Sequence, residues 1–154
     1  MKYILLVVLL LITPHVSAES PEGYLVIPTI SFYKSLSYIP QQVDGSDYSE
    51  LYDTTQLGYG IGIIEKVQRA PVDKHVILGH TPGGFEGLLN VSIGDEIVLI
   101  LGETVQSYII YDIFITSVNN GSVLWFDDGF PEIVLITCHG QTERLVVKAK
   151  WKTS

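Results

Sequence analysis

Glu132-Ile133-Val134-Leu135-Ile136-Thr137-Cys138, then five intervening residues, then Arg144-Leu145-Val146-Val147-Lys148-Ala149-Lys150-Trp151: these two runs near the end of the chain decide the fold. Both are short and rich in β-branched residues, and together they read as an antiparallel hairpin. Pairing Cys138 with Arg144 across the loop 139–143 sets Ile133 against Ala149, Leu135 against Val147 and Thr137 against Leu145, an almost wholly apolar face suited to a core. On the other face Glu132 meets Lys150, an opposite-charge cross-strand pair that supports this register. Val134, Ile136, Val146 and Lys148 share that second face, and a one-residue slip would drive its charges into the core. The register therefore places a thiol beside a guanidinium at the loop end of the sheet's outer face, with Cβ atoms about 5 Å apart.

Upstream the pattern continues. Strands are expected over 24–28 and 29–33, interrupted by Pro28, and over 75–79, 96–101 and 105–116, with a further short strand over 123–126. Residues 41–60 are polar and run into the glycine-rich Gly58-Tyr59-Gly60-Ile61-Gly62, so a loop is expected there, with a turn of helix around 46–52. A second helical turn is expected over 85–90, and Asn119-Asn120-Gly121 signals a turn. Seven or eight strands at this spacing predict an all-β domain, a closed β-barrel or a sandwich, with one or two short helices.

Composition narrows the class. The 154 residues suffice for one domain, and 9 Lys+Arg against 17 Asp+Glu leave a net charge of −8, so no basic face is available for nucleic acid. With 47% hydrophobic and 17% charged residues the chain can bury a real core. One cysteine excludes a disulfide framework. At the N-terminus, Met1-Lys2 precedes an apolar run over 4–12, then Thr13-Pro14 and Val16-Ser17-Ala18. This describes a secretory signal peptide over 1–18, with a domain over 19–154 and an exported protein; the rival reading is an uncleaved anchor. Nothing argues for an obligate oligomer.

An exported chain with a single thiol poses a chemical question, since extracellular cysteines ordinarily pair or are absent. The plain reading of Cys138 is a small buried hydrophobe, and of Arg144 an ion pair with Glu143 or Asp127. Set side by side, however, a cation favours the thiolate and hence a nucleophile. Of four histidines, His15 lies in the leader, and His75 starts a strand in a charged stretch and reads as solvated. His139 points to the opposite face from Cys138. His80 closes the apolar run Val76-Ile77-Leu78-Gly79 and precedes Thr81-Pro82-Gly83-Gly84, whose glycines would give a ligand close access. Cys138, His80 and Arg144 thus form a candidate nucleophile, proton carrier and oxyanion or substrate clamp.

These residues resemble the sortase family of cysteine transpeptidases. The resemblance rests on Val76-Ile77-Leu78-Gly79-His80, on Phe85, Leu88 and Leu89, on Ile93-Gly94-Asp95, and on Val134-Leu135-Ile136-Thr137-Cys138 with Arg144 opening the last strand. Leu25-Val26-Ile27-Pro28-Thr29-Ile30 and the glycine-rich 57–62 segment are similar too. The resemblance implies a closed eight-stranded β-barrel with Cys138 as nucleophile, His80 as general acid and base, and Arg144 on the substrate backbone or oxyanion. It further implies Thr137 in a supporting role and Ile136 and Val146 on the substrate-binding surface. The substrate would be an LPXTG-like sorting signal near the C-terminus of a secreted protein, and the acceptor an amine of a cell-wall precursor, a pilin lysine or water. No cofactor and no metal site are expected, the scattered carboxylates reading as solvated surface. Val134 replaces the family's usual first Thr, and the Cys-to-Arg loop is shorter than in many members, which leaves the subclass open. Two other readings stand beside this one. An L,D-transpeptidase would use Cys138-His139-Gly140 and His80-Thr81, although that family places Ser-His-Gly before its Cys; a secreted β-barrel binding module would leave Cys138 inert.

Overall fold

In a computed structural model, which describes residues 23–43, 60–67 and 74–153, eight strands follow one another along the chain. They are β1 (Gly23–Ile27), β2 (Phe32–Val43), β3 (Ile61–Val67), β4 (Lys74–Gly79), β5 (Glu96–Leu101), β6 (Thr104–Ser117), β7 (Glu132–His139) and β8 (Glu143–Trp151). The leader expected over 1–18 and the helical turn expected over 46–52 lie outside the described residues. The strands close into a barrel in the order β1-β2-β3-β4-β7-β8-β6-β5, β1 pairing with both β2 and β5. Six of the eight neighbour pairs are antiparallel; β2 with β3 and β4 with β7 run parallel. The fold is thus the all-β closed barrel of eight strands that the resemblance implies, and one of the two architectures, barrel or sandwich, that the strand spacing predicts.

Three stretches differ from expectation. Pro28 does more than interrupt a strand: with no N–H to give and a fixed φ, it opens a single 3-10 turn over Pro28–Ile30, closed by a hydrogen bond from the Ser31 N–H to the Pro28 carbonyl. The following strand starts at Phe32, not at 29, and runs on to Val43. The glycine-rich segment is not all loop, because β3 begins at Ile61. The stretch expected as a strand over 123–126 is a short helix, α1 (Ser122–Trp125), whose Leu124 is fully buried. A 3-10 turn over Leu88–Asn90 occupies the place of the second expected helical turn.

The barrel interior is filled by alternate residues, among them Leu25, Ile77, Leu99, Ile110, Leu135 and Val147, all at or below 1% exposure. The β7–β8 hairpin has the register read from the sequence at every position from Glu132–Lys150 to Cys138–Arg144. Pairing extends one step further, to His139–Glu143, so the expected five-residue loop shrinks to Gly140-Gln141-Thr142. Gly140 takes the left-handed conformation, φ 68°, that such a tight reversal requires.

The outer face of this hairpin is not a solvent face. Val76 and Leu78 of β4, Val134 and Ile136 of β7, and Val146 of β8 form a second apolar cluster capped by Leu124 of α1. Both faces of β7 and β8 are therefore buried, which is why their sequences read as nearly continuous apolar runs. Strand β6 joins this arrangement through a bulge at Tyr111, between the Ile110–Ala149 and Asp112–Lys148 pairs. The extra residue changes the phase of the strand. Ile110 faces the core, Ile113 again packs against it, and Asp112 escapes it.

Released from the ladder, the Tyr111 hydroxyl donates to Glu132 at 2.7 Å and lies 3.1 Å from the Asp128 carboxylate. Glu132 is 2% exposed and ion-pairs with Lys74 at 2.5 Å and Lys148 at 3.4 Å. Lys148 also pairs with Asp128, and Lys74 donates to the Phe126 carbonyl at 2.6 Å. Glu132 and Lys150 are neighbours in register as expected, but Lys150 is exposed and the buried charge of Glu132 is met by Lys74 and Lys148 instead. Two cations balance two anions here, and the network pins the segment that follows α1 onto the sheet.

Candidate active site

Cys138 lies one residue from the end of β7, partly buried, between two strands that each deliver one candidate partner. On one side it is the direct cross-strand partner of Arg144. Arg144 is 5% exposed, and its Nη1 donates to the Glu143 backbone carbonyl at 2.5 Å. Asp127, the alternative partner considered for it, accepts instead from the Gly129 N–H at 2.8 Å. On the other side runs β4, parallel to β7. Its last registered pair is Gly79 with Thr137; His80 is the first residue past the end of β4, and Cys138 follows Thr137 on β7. The topology thus sets the Cys138–Arg144 pair and the end of β4, which His80 follows, at one end of the barrel, although these residues are 58 and 6 positions apart in sequence.

The His80 backbone is held by a compact turn. Its carbonyl accepts from the Gly84 N–H at 2.8 Å and the Phe85 N–H at 3.0 Å, and Lys34 of β2 donates to the Gly83 carbonyl. Two of the glycines near His80 are closely packed by the protein itself. A Cβ at Gly79 would lie 2.7 Å from Ile61 and Phe85 side-chain carbons, and one at Gly84 would lie 2.6 Å from the Gly60 carbonyl oxygen. They are small because the protein itself packs against them.

Thr137 alternates with Leu135 and Ile133 and so points to the core side, 4% exposed. Its hydroxyl donates to the Gly79 carbonyl at 2.8 Å and lies 2.6 Å from the Thr81 hydroxyl. It therefore touches both residues that flank His80; its tie to Thr81 is not legible in the sequence. Ile136 and Val146, expected on the substrate-binding surface, are 3% and 0% exposed and packed with Leu124 in the outer cluster. In the ladder they are the pair next to Cys138–Arg144 on the same face of the hairpin. His75, expected to be solvated, is partly buried in β4 opposite Ile133. Among the described residues no group of three or more His, Cys, Asp or Glu side chains is arranged to hold a metal ion.

One rim of the eight-stranded barrel carries Cys138, Arg144 and the end of β4. The family model for the sortase domain matches residues 26–152, and the chain belongs to the sortase family, a family of transpeptidases. Solved structures agree on the fold. Sortase A from Corynebacterium diphtheriae superimposes with a TM-score of 0.69 at 21% identity, covering 88% of this chain and 62% of that one. Streptococcus agalactiae sortase C1 gives 0.68 at 19% identity over 87% of this chain and 68% of that one. A Clostridium perfringens sortase D5 transpeptidase gives 0.67 at 22% identity over 86% and 79%. The chain thus spans less than two thirds of the Corynebacterium protein's length, and its resemblance to sortases labelled A, C and D leaves its subclass undivided. No curated protein matches the chain. Membership in the sortase family removes the ground for the L,D-transpeptidase reading.

Proposed function

We propose that this chain is a cysteine transpeptidase that cleaves an LPXTG-like sorting signal near the C-terminus of exported proteins. The observation that supports the reading is the cross-strand pairing of Cys138 with Arg144 near the end of β7, next to the end of the parallel strand β4, which His80 directly follows. The Cys138 thiolate attacks the scissile carbonyl carbon; the C–S bond forms, and as the C–N bond breaks His80 gives its proton to the departing amine. The Arg144 guanidinium faces the negative charge that develops on the carbonyl oxygen. An acceptor amine, from a cell-wall precursor or a pilin lysine, then attacks the thioacyl carbon. His80 takes up the amine proton, the C–S bond breaks and the thiolate returns. Water in place of the amine gives hydrolysis. Every group in this sequence is a side chain of the protein or an atom of its substrates, so the steps call for no cofactor.

Thr137 supports the site from the core side, and Ile136 and Val146, the pair next to Cys138–Arg144 on the same face, belong to the substrate-binding surface. The leader expected over 1–18 would direct export and put the domain over 19–154 on the side of the membrane where sorting signals and wall precursors occur.

The test is mass spectrometry of pooled sorting-signal peptides incubated with the protein and hydroxylamine, with Cys138→Ala as control. A peptide cut within its motif and converted to a hydroxamate, only when Cys138 is present, is the expected result. No cleavage, together with a Cys138 inert to alkylation, would establish the non-catalytic binding module instead.

A further inference from the structure

Two hydroxyls beside the site form a directed chain. The Thr137 hydroxyl has one hydrogen, and it is given to the Gly79 carbonyl at 2.8 Å. The 2.6 Å contact between the Thr81 and Thr137 oxygens must then be made by the Thr81 hydrogen, with Thr137 accepting. The order is Thr81 O–H to Thr137 O–H to Gly79 O=C. Residues 79 and 81 are the two chain neighbours of His80, and residue 137 is the chain neighbour of Cys138. A single side chain therefore ties both flanks of the histidine to the strand that carries the thiol. The His80 carbonyl is already occupied by the Gly84 and Phe85 N–H groups, so the turn 80–85 is closed on itself. On the Thr81 side, the hydroxyl contact to Thr137 joins that turn to β7.

We propose that Thr81 is a positioning residue for the reaction: acting through Thr137, its hydroxyl holds the His80 backbone in step with Cys138. The inference rests on the transpeptidase reading for its purpose but on the hydrogen-bond order for its existence. Proton transfer between an imidazole and a thiol is sensitive to small displacements, and a misplacement of about 1 Å can cost on the order of 100-fold in rate. Because the turn stays closed through Gly84 and Phe85, the loss of one hydroxyl is expected to cost less than that.

The test compares Thr81→Val, Thr81→Ser, Thr137→Val and the double valine variant with the wild type. One arm follows the pH dependence of Cys138 alkylation by iodoacetamide without any peptide, with His80→Ala marking the contribution of the histidine. The other measures kcat and KM on a cleaved sorting peptide. Thr81→Val is expected to lower kcat about tenfold with KM within about twofold, and to move the alkylation profile toward that of His80→Ala. Thr81→Ser restores both, while the thermal midpoints of the Val and Ser variants agree. The double variant should be no worse than Thr137→Val alone, because Thr81 acts through Thr137. A Thr81→Val protein with wild-type kcat and profile, a serine variant that fails to rescue, or multiplying effects in the double variant would overturn the proposal. So would a wild-type profile that His80→Ala leaves unaltered. If no peptide is cleaved but the profile moves as expected, the substrate reading fails and this inference stands. If Thr81→Val cleaves peptide at the wild-type rate, the reverse holds.

Discussion

Cys138 and Arg144 are direct antiparallel partners across a hairpin whose turn is three residues long. Such pairs keep their Cβ atoms about 5 Å apart, and Arg144 is 5% exposed, so its stem is fixed by packing and its head has few directions to take. Arg144→Lys retains the charge but not the planar fork of donors. The expected result is a fall in kcat/KM of about 100-fold, the scale of losing an oxyanion donor, with the thermal midpoint close to wild type. Near-normal turnover of Arg144→Lys on a sorting peptide would remove the guanidinium from the mechanism.

The buried ionic network predicts an asymmetry in stability. Lys148 is held between Asp128 and Glu132 with its ammonium over the Tyr111 ring, 5.5 Å from the centroid. Lys148→Met strands buried carboxylate charge, and breaking one partner of such a pair costs about 3–5 kcal/mol. Lys152, which pairs with Glu96 at 3.1 Å with both side chains well exposed, is the contrast. Lys152→Ala should leave the denaturant midpoint unchanged, because solvent screens that pair. Urea unfolding of the two variants side by side reads the difference.

Asp128 gives the network a pH dependence. Burial pushes its carboxyl up, but the hydrogen bond and charge of Lys148, aided by Tyr111 and Lys74, outweigh this and hold it below the ordinary carboxylate range. A folded-state value below the unfolded one means the carboxylate contributes stability above the unfolded value of about 3.9, and loses it as pH falls through the folded value. Tyr111 works in the opposite sense: burial first, then Glu132 and Asp128, drive its hydroxyl up, so it remains a donor across the working range. The stability gap between wild type and Asp128→Asn should therefore be full at pH 7 and shrink below pH about 4. Chemical unfolding at a series of pH values measures it, and a gap constant with pH would contradict the ion-pair account.

Leu124 caps the outer cluster that contains Ile136 and Val146. Leu124→Ala should cost about 2–5 kcal/mol by transfer and cavity terms together. It also loosens the Ile136–Val146 pair next to Cys138–Arg144, so a rise in KM for the sorting peptide is expected. An unaltered melting temperature would show that α1 does not pack as described.

The last hairpin was legible because its information is local: apolar alternation on one face, a charge pair at one end, and a loop too short to allow another register. The Cys138–Arg144 contact came with it. The true partners of Glu132 were not legible, since Lys74 sits 58 residues away and reaches it through the parallel β4–β7 pairing, which no local pattern announces. Helix α1 reads as a strand because Val123-Leu124-Trp125-Phe126 is made of strand-prone residues, and four residues are too few to show a helical period. The bulge at Tyr111 left no sequence signal beyond an Asp112 that strict alternation would have buried. His80 was singled out from its glycine-rich surroundings, whereas the glycines answer to Ile61, Phe85 and Gly60. The tie from Thr81 to the site is not legible, because its partner Thr137 is 56 residues distant.

The central claim is a covalent one: the acyl group of the substrate rests on the sulfur of Cys138. The most direct measurement is the intact mass of the protein, quenched in acid during turnover of a sorting-signal peptide with no added amine, followed by mapping of the modified residue. The account predicts an adduct equal to the acyl half of the peptide, carried by Cys138, discharged by hydroxylamine and missing from Cys138→Ala. Cleavage of the peptide by Cys138→Ala at the wild-type rate, with no adduct on either protein, would contradict it.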